Sequence, residues 1–370
     1  MKSIKLLLTS DLHLGMDKKN SLCLKNERTE TFKRIMAQAA KHDILLIAGD
    51  FFDSTISVPD FYEHAVPEIT NLLEEGTEIF YTPGYEELSA NKEITDYISS
   101  LNNCFYFSNK REDEYIKSDK GDLYIYGFQA QSMHSPDTIT RCTKKGFHLG
   151  LFYADYQPEN MDLHNKECLN RESMKQMNMD FYALGKSHFF KIFRSQNKII
   201  GACPGSPEPC FFDESGDRFV ISMEIINNSL TNIKRIPINT VSVFTGSIDC
   251  SAIKQKSDLI DKIKAFAKED KILSIILTGI RNFELNKLEN ELAGYYRGLQ
   301  IVNRTIPSLN MQISSFCNSN SLKGEIHRTL RKKIEDKNIP ENINQDALAK
   351  ILFPRFSSPS SREEVIFCDL

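Results

Sequence analysis

The order of its apolar runs constrains this chain more than any other feature. Residues 4–10 (IKLLLTS) form a short continuous apolar run, and residues 30–42 (ETFKRIMAQAAKH) carry apolar side chains at helical spacing. Residues 43–50 (DILLIAGD) form a second short run. Such runs, without polar alternation, read as strands buried on both faces. A strand, a helix and a strand in that order pair in parallel through a right-handed crossover, so an α/β domain is expected. Further strand-like runs follow at 77–84, 122–128, 147–153, 180–185 and 197–205. Residues 217–237 read as a hairpin turning on the polar NNS at 227–229.

Near residue 238 the character changes. A helix at 257–270, a strand at 271–279, a helix at 286–296 and a strand at 297–307 make a small α/β unit. A basic helix at 321–338 and another helix at 344–353 follow, and PRFSSPSSREEVIF (354–367) reads as a loose tail. The expected division is therefore 1–238, 239–320 and 321–370. With 370 residues, 41% of them hydrophobic, the chain can bury one large core and a smaller one. Its net charge is −4, so any nucleic-acid contact must come from local basic patches. Nine cysteines without a CxxC pair read as reduced thiols of a cytoplasmic protein. The apolar run near the N-terminus is too short for a signal peptide, and no 18-residue apolar stretch predicts a membrane span.

Four short pieces carry the chemistry. DLHLG supplies Asp11 and His13 after the first strand, and GDFFD supplies Asp50 after the second. PGYEE, with Gly84, Tyr85 and Glu86, follows the third, and LGKSH brings Lys186 and His188 after DFYA. All lie at the C-terminal ends of expected strands, the edge where open α/β sheets bind ligands. Asp11 and His13, two residues apart on extended backbone, face the same side. Carboxylate and imidazole donors suit Mn, Fe or Zn ions that polarise phosphate oxygens. One Asp at a strand end is ordinarily a cap and one His a packed residue; four pieces in this order outweigh that reading.

These residues, together with ERTETFKRIMAQAAKHDILLIAGDFFD (27–53), FHLGLFY (147–153), DFYALGKSH (180–188) and PGSPEP (204–209), carry a resemblance. The chain resembles the calcineurin-like metallophosphoesterases, and within them the SbcD-type DNA repair exonucleases that work with an SMC-like coiled-coil ATPase. The resemblance covers residues 1 to about 235 and is only architectural beyond. It implies a two-sheet sandwich flanked by helices, with a small α/β cap domain and C-terminal helices. It implies a first metal held by Asp11, His13, Asp50 and His188, with Mn as the ion. The positions that would hold the second metal alone are Tyr85, Tyr153 and Lys186, and the general-acid histidine is replaced by Glu86. The second half of the centre is thus expected to bind no cation, and no catalytic residue is assigned. A neutral Glu86 would donate a proton only if burial raised its pKa by several units. Lys186 reads either as a stand-in for the second cation, paired with Asp50, or as a solvated surface lysine, with both tyrosine rings filling the vacated volume.

The implied partners are DNA, an SMC-like coiled-coil ATPase and a second copy of the chain, with no membrane. The cap would grip DNA and the C-terminal helices would dock on the ATPase. Two functions remain open: a DNA-processing subunit whose nuclease centre has decayed to a one-metal or metal-free site, and an active mononuclear nuclease or phosphodiesterase. A small-molecule phosphatase is disfavoured by the cap and the PGSPEP loop. His42, His64, His134, His148, His164 and His327 lack ligand spacing and read as surface or partly packed residues. Asp53 reads as a cap, and the basic run 327–337 as a solvated helix face or a contact for phosphates or a partner.

Overall fold

The computed structural model describes residues 3–18, 21–107, 115–128, 139–157, 168–266, 271–292, 294–336, 344–356 and 364–368. His134 and His164 lie outside them. The chain divides into two compact units, Met1–Ser242 and Val243–Leu370.

The first unit is a mixed α/β sandwich of two six-stranded sheets flanked by helices. Its strands are β1 (Ser3–Thr9), β2 (Ile44–Ala48), β3 (Glu78–Thr82), β4 (Cys104–Tyr106), β5 (Ile116–Lys117), β6 (Leu123–Phe128) and β7 (Phe147–Phe152). After a small pair, β8 (Asp155–Tyr156) and β9 (Cys168–Leu169), come β10 (Phe181–Leu184), β11 (Lys191–Ser195), β12 (Lys198–Cys203), β13 (Phe219–Ile226) and β14 (Ser229–Pro237). One sheet runs β14-β13-β1-β2-β3-β4 and the other β11-β12-β10-β7-β6-β5. The central strands β1 to β4 are parallel, as are β6, β7, β10 and β12.

The unbroken apolar runs have a structural cause. In β1, Leu6 and Leu8 pack between the sheets with Leu46, Phe80, Leu149 and Ala183. Leu7 points the other way, into the layer formed with Phe32 and Ile35 of helix α1 (Lys25–Ala39). Each central strand thus buries both faces, at about 1.5–3 kcal/mol for each large apolar side chain. The β13–β14 hairpin turns on Asn227 and Asn228, both at positive φ (52° and 56°). That matches the two-residue turn whose twist suits a hairpin.

The second unit holds the parallel strands β15 (Val243–Asp249), β16 (Ile272–Thr278) and β18 (Gly298–Asn303), with the short pair β17 (Ile280–Arg281) and β19 (Ile306–Pro307). Helices span Lys256–Phe266, Leu288–Leu292, Leu309–Phe316, Leu322–Glu335 and Gln345–Phe356. Three expectations need correction here. The helix expected over 286–296 is confined to Leu288–Leu292. The strand expected over 297–307 is broken, because Asn303 Oδ1 accepts from both the N–H and the hydroxyl of Thr305. Within the expected loose tail, Glu364–Cys368 forms a strand, β20, antiparallel to β18. Among the described residues, no helix is long and apolar enough to cross a membrane.

Two histidines expected at or near the surface are fully buried instead. His148 stacks on Tyr124, accepts from the Tyr126 hydroxyl (2.8 Å) and donates to the Lys144 carbonyl (3.0 Å). His327 bonds the Lys323 carbonyl at 2.6 Å.

Candidate metal centre

The loops after β1 and β2 are stitched together. Asp11 N–H donates to Gly49 O and His13 N–H to Asp50 O, both at 2.9 Å, and Leu14 N–H to Phe51 O at 3.0 Å. These bonds carry parallel pairing beyond the strand ends and turn Asp11, His13 and Asp50 inward. Their backbone pays for that in conformation: φ is 50°, 51° and 44°, and Lys186 stands at 75°. Non-glycine residues enter this region rarely, and at sites where surrounding structure enforces it. Glu87 supplies much of the enforcement. Its buried carboxylate accepts backbone N–H groups from Asp50 (3.0 Å), Phe51 (2.5 Å), Phe52 (3.0 Å) and Gly84 (2.9 Å), and the Tyr81 hydroxyl. Gly84 is confined by contact: a Cβ there would lie 2.2 Å from Asp50 Oδ1.

Two imidazoles converge on this pocket. His13 Nδ1 faces Asp53 Oδ2 at 3.3 Å, and His188 Nδ1 faces Glu214 Oε1 at 2.6 Å. Both carboxyls titrate below the usual range despite their burial: Asp53 through bonds from His13 and Thr55, and Glu214, down to about 2, through His188 and Arg218. Ionised carboxylates only accept, so each Nδ1 carries a proton and each Nε2 is turned into the pocket. The two Nε2 atoms lie 3.3 Å apart. Facing lone pairs at that distance repel unless a proton or a cation lies between them. Burial alone would lower His188, but bonds with Cys210 and Glu214 and the charge of Asp11 push it up to about 11.

The carboxylates also call for positive charge. Ligand atoms of Asp11, His13 and Asp50 lie within 4.8 Å of one another. Burial pushes Asp11 well above the usual carboxylate range; the charge of Asp50 adds to this and that of His188 opposes it. Burial, then the charge of Glu87, pushes Asp50 up to about 7. The Lys186 N–H donates to both Asp11 oxygens, at 3.0 and 3.1 Å. Carboxylates packed beside imidazoles with anchored Nδ1 atoms are a donor set that fits a divalent cation.

The other half of the pocket is filled by aromatic rings. Tyr153 donates its hydroxyl to Asp50 Oδ2, and its ring meets Tyr85 edge to face at 5.5 Å. Asp50 Oδ1 accepts the Glu86 N–H at 2.8 Å. The expectation that Lys186 pairs with Asp50 is therefore corrected: the hydroxyl of Tyr153 takes up that oxygen, and the Lys186 ammonium lies 5.9 Å from the centre of the Tyr85 ring. The condition for Glu86 as an acid also fails. Burial would raise its pKa, but Lys18 (2.6 Å) and the Ser54 hydroxyl (2.7 Å) hold the carboxyl below its usual value.

The structure thus brings Asp11, His13 and Asp50 together, and joins His188 to them through the His13 ring. Asp53 caps its turn, accepting from the Thr55 N–H and hydroxyl, and also anchors His13 and Lys18. Sequence reasoning misses Glu87, Glu214 and Cys210. Only Glu87 leaves a local trace, as an acidic residue three positions after Gly84 at a helix start. In the basic 327–337 run, Arg328 is used internally, on the Cys317 and Ser319 carbonyls, and Arg331 pairs with Glu335.

The family profile for calcineurin-like phosphoesterases matches residues 4–188. A DNA double-strand break repair protein, Mre11 of Methanopyrus kandleri, is 26% identical over 234 residues, covering 56% of this chain and 49% of that protein. The chain therefore spans about half the length of the curated relative it matches. Among solved structures, a dimetal phosphatase from Danio rerio is 10% identical with a TM-score of 0.40, over 64% of this chain and 98% of that one. The calcineurin-like phosphoesterase YfkN from Bacillus subtilis is 13% identical with a TM-score of 0.39, over 65% of this chain and 93% of that one.

Proposed function

The chain belongs to the calcineurin-like phosphoesterase family, and from that premise we propose that it is an SbcD-like DNA-processing subunit that keeps one divalent-metal site. The observation that carries this reading is the asymmetry of the centre. Two anchored imidazoles with Nε2 atoms 3.3 Å apart stand beside Asp11 on one side, and Tyr153 closes on Asp50 from the other. Asp11, His13, Asp50 and His188 would hold the ion, with Mn the first to try.

A bound divalent ion supplies Lewis-acid polarisation of a phosphate oxygen. The residues of this chain set the rest. Asp53 and Glu214 hold the imidazoles in the tautomer that presents Nε2, and Glu87 fixes the Asp50 loop. The second cation that a two-metal centre uses to stabilise the leaving oxygen has no ligands of its own, because Tyr85, Tyr153 and Lys186 occupy those positions. Glu86, held ionised by Lys18 and Ser54, gives no proton to a leaving group near neutral pH; a missing general acid costs roughly 10²–10⁴-fold in rate. The reading is therefore of DNA binding with hydrolysis weak or absent. In it, residues 239–320 act as a cap on DNA, residues 321–370 dock on an SMC-like ATPase, and the protein works in the cytoplasm, as a homodimer.

A second reading, a mononuclear nuclease, draws on the same completeness of the His13–His188 side. Cleavage of linear DNA with added Mn, beside Asp11→Ala and with DNA binding measured in parallel, separates the two. Binding without cleavage is expected. Cleavage that disappears in Asp11→Ala overturns the weak-hydrolysis reading and establishes the mononuclear enzyme.

A further inference from the structure

Cys210 follows directly on the PGSPEP loop and is fully buried. Its Sγ, His13 and His188 offer ligand atoms that all lie within 4.8 Å of one another. We propose that Cys210 is a ligand of the ion held by the two histidines, which makes this a thiolate-containing site for Zn²⁺ rather than an all-oxygen-and-imidazole site for Mn²⁺. The inference rests on the reading that a divalent ion binds here and adds the identity of a donor and the class of metal.

Three features separate this thiol from an ordinary buried cysteine. The first is anchorage. One carboxylate, Glu214, holds His188 Nδ1 with Oε1 at 2.6 Å and the Cys210 N–H with Oε2 at 3.0 Å. Arg218 and the Ser206 hydroxyl (2.7 Å) hold that carboxylate in turn. The imidazole and the thiol are thus set by the same group, as outer-shell partners set metal ligands. The second is charge. The guanidinium of Arg28, itself fully buried, places Nη1 3.6 Å from Cys210 Sγ. Its other bonds go to the Leu12 and Pro209 carbonyls and the Met16 sulfur, and its Nε has no hydrogen-bond partner. Positive charge there would offset the negative charge that a sulfur ligand brings into a buried metal site. The third is contrast. Cys203, also buried, directs its thiol to the Ser187 carbonyl at 3.3 Å. The Cys210 thiol makes a longer contact of this kind, 3.8 Å to the Glu208 carbonyl.

Thiolate and imidazole donors together suit Zn²⁺, whereas Mn²⁺ prefers carboxylate and water. On binding, the thiol proton leaves to solvent and an S–metal bond forms.

Co²⁺ added to the full-length protein is the probe, because it reports both binding and sulfur ligation in one spectrum. The expected result is visible d–d absorption with about one Co²⁺ bound per chain, and a near-ultraviolet thiolate-to-Co²⁺ charge-transfer band. Cys210→Ser should keep bound Co²⁺ and lose that band, and Cys203→Ser should retain both. Zn²⁺ affinity should fall roughly tenfold or more in Cys210→Ser, with Mn²⁺ affinity changed far less. Bound Co²⁺ without the charge-transfer band in the unmodified protein overturns the Cys210 assignment while the metal site stands. A band that persists in Cys210→Ser, with the variant folded by circular dichroism, also overturns it. Failure to bind Co²⁺, Zn²⁺ or Mn²⁺ at all removes the metal reading and this one with it. The spectrum of the unmodified protein is decisive even if the serine variant does not fold.

Discussion

The hydroxyl of Tyr153 donates to Asp50 Oδ2, and the ring that carries it lies against Gly49, where a Cβ would come within 2.1 Å of it. A bulky ring and a residue without a side chain thus share one corner of the pocket, and Gly49, at φ 84°, has two reasons to be glycine.

Tyr153→Phe keeps the ring and removes the donor. The bond from Tyr153 is one of the influences holding Asp50 down, so its pKa should rise above the present value of about 7. Loss of a buried bond to a carboxylate should lower stability by about 1–3 kcal/mol. Carboxyl titration by NMR and urea unfolding measure the two effects. An unmoved Asp50 titration would mean that the hydroxyl does not govern this carboxylate.

Glu87→Ala should be among the most damaging single changes in the first unit. It strips acceptors from four backbone N–H groups and the Tyr81 hydroxyl in a buried position. A loss of about 3 kcal/mol or more is expected, since each orphaned buried donor costs about 1–3 kcal/mol before relaxation. Glu87→Gln retains one oxygen and should lose less. Denaturant midpoints for the two variants test the order; an Ala variant as stable as the parent would show that the loop holds itself.

His148 should leave a signature in the pH dependence of stability. Burial first, and the charge of Arg141, hold its pKa below the ordinary value of about 6.5. The unfolded chain therefore binds a proton more readily than the folded one in the window below about 6.5, down to the depressed folded value. Stability from this residue is full above that window and is lost as pH falls through it. The carboxyls raised by burial, Asp11 and Asp50 among them, act in the opposite sense. The measurement is thus the difference between the parent and His148→Gln, taken by thermal unfolding across pH 5–7. That difference should grow with pH; a flat one would remove the residue from the balance.

The backbone plan was legible because the central strands bury both faces, which leaves an uninterrupted apolar run in the sequence. Asp11, His13 and Asp50 were legible because each follows such a run. Glu214 and Cys210 were not: they meet His188 and His13 across long sequence separations, and nothing local marks an acid or a thiol for that meeting. The strand Glu364–Cys368 was hidden by its serine-rich neighbours, which suggest disorder, although EVIFC itself has strand character. The burial of His327 was equally out of reach, because its helix reads as basic and solvated and only packing reveals which residue turns inward.

The backbone bonds from Asp11, His13 and Leu14 to Gly49, Asp50 and Phe51 have a thermodynamic consequence. They order both motif loops as part of folding itself, so the loss of chain entropy falls on the folding equilibrium and little is left for the arrival of an ion or a phosphate. Recognition at this centre is then that of a rigid receptor, with its selectivity set by the fixed spacing of its donors rather than by a loop that closes around whatever enters.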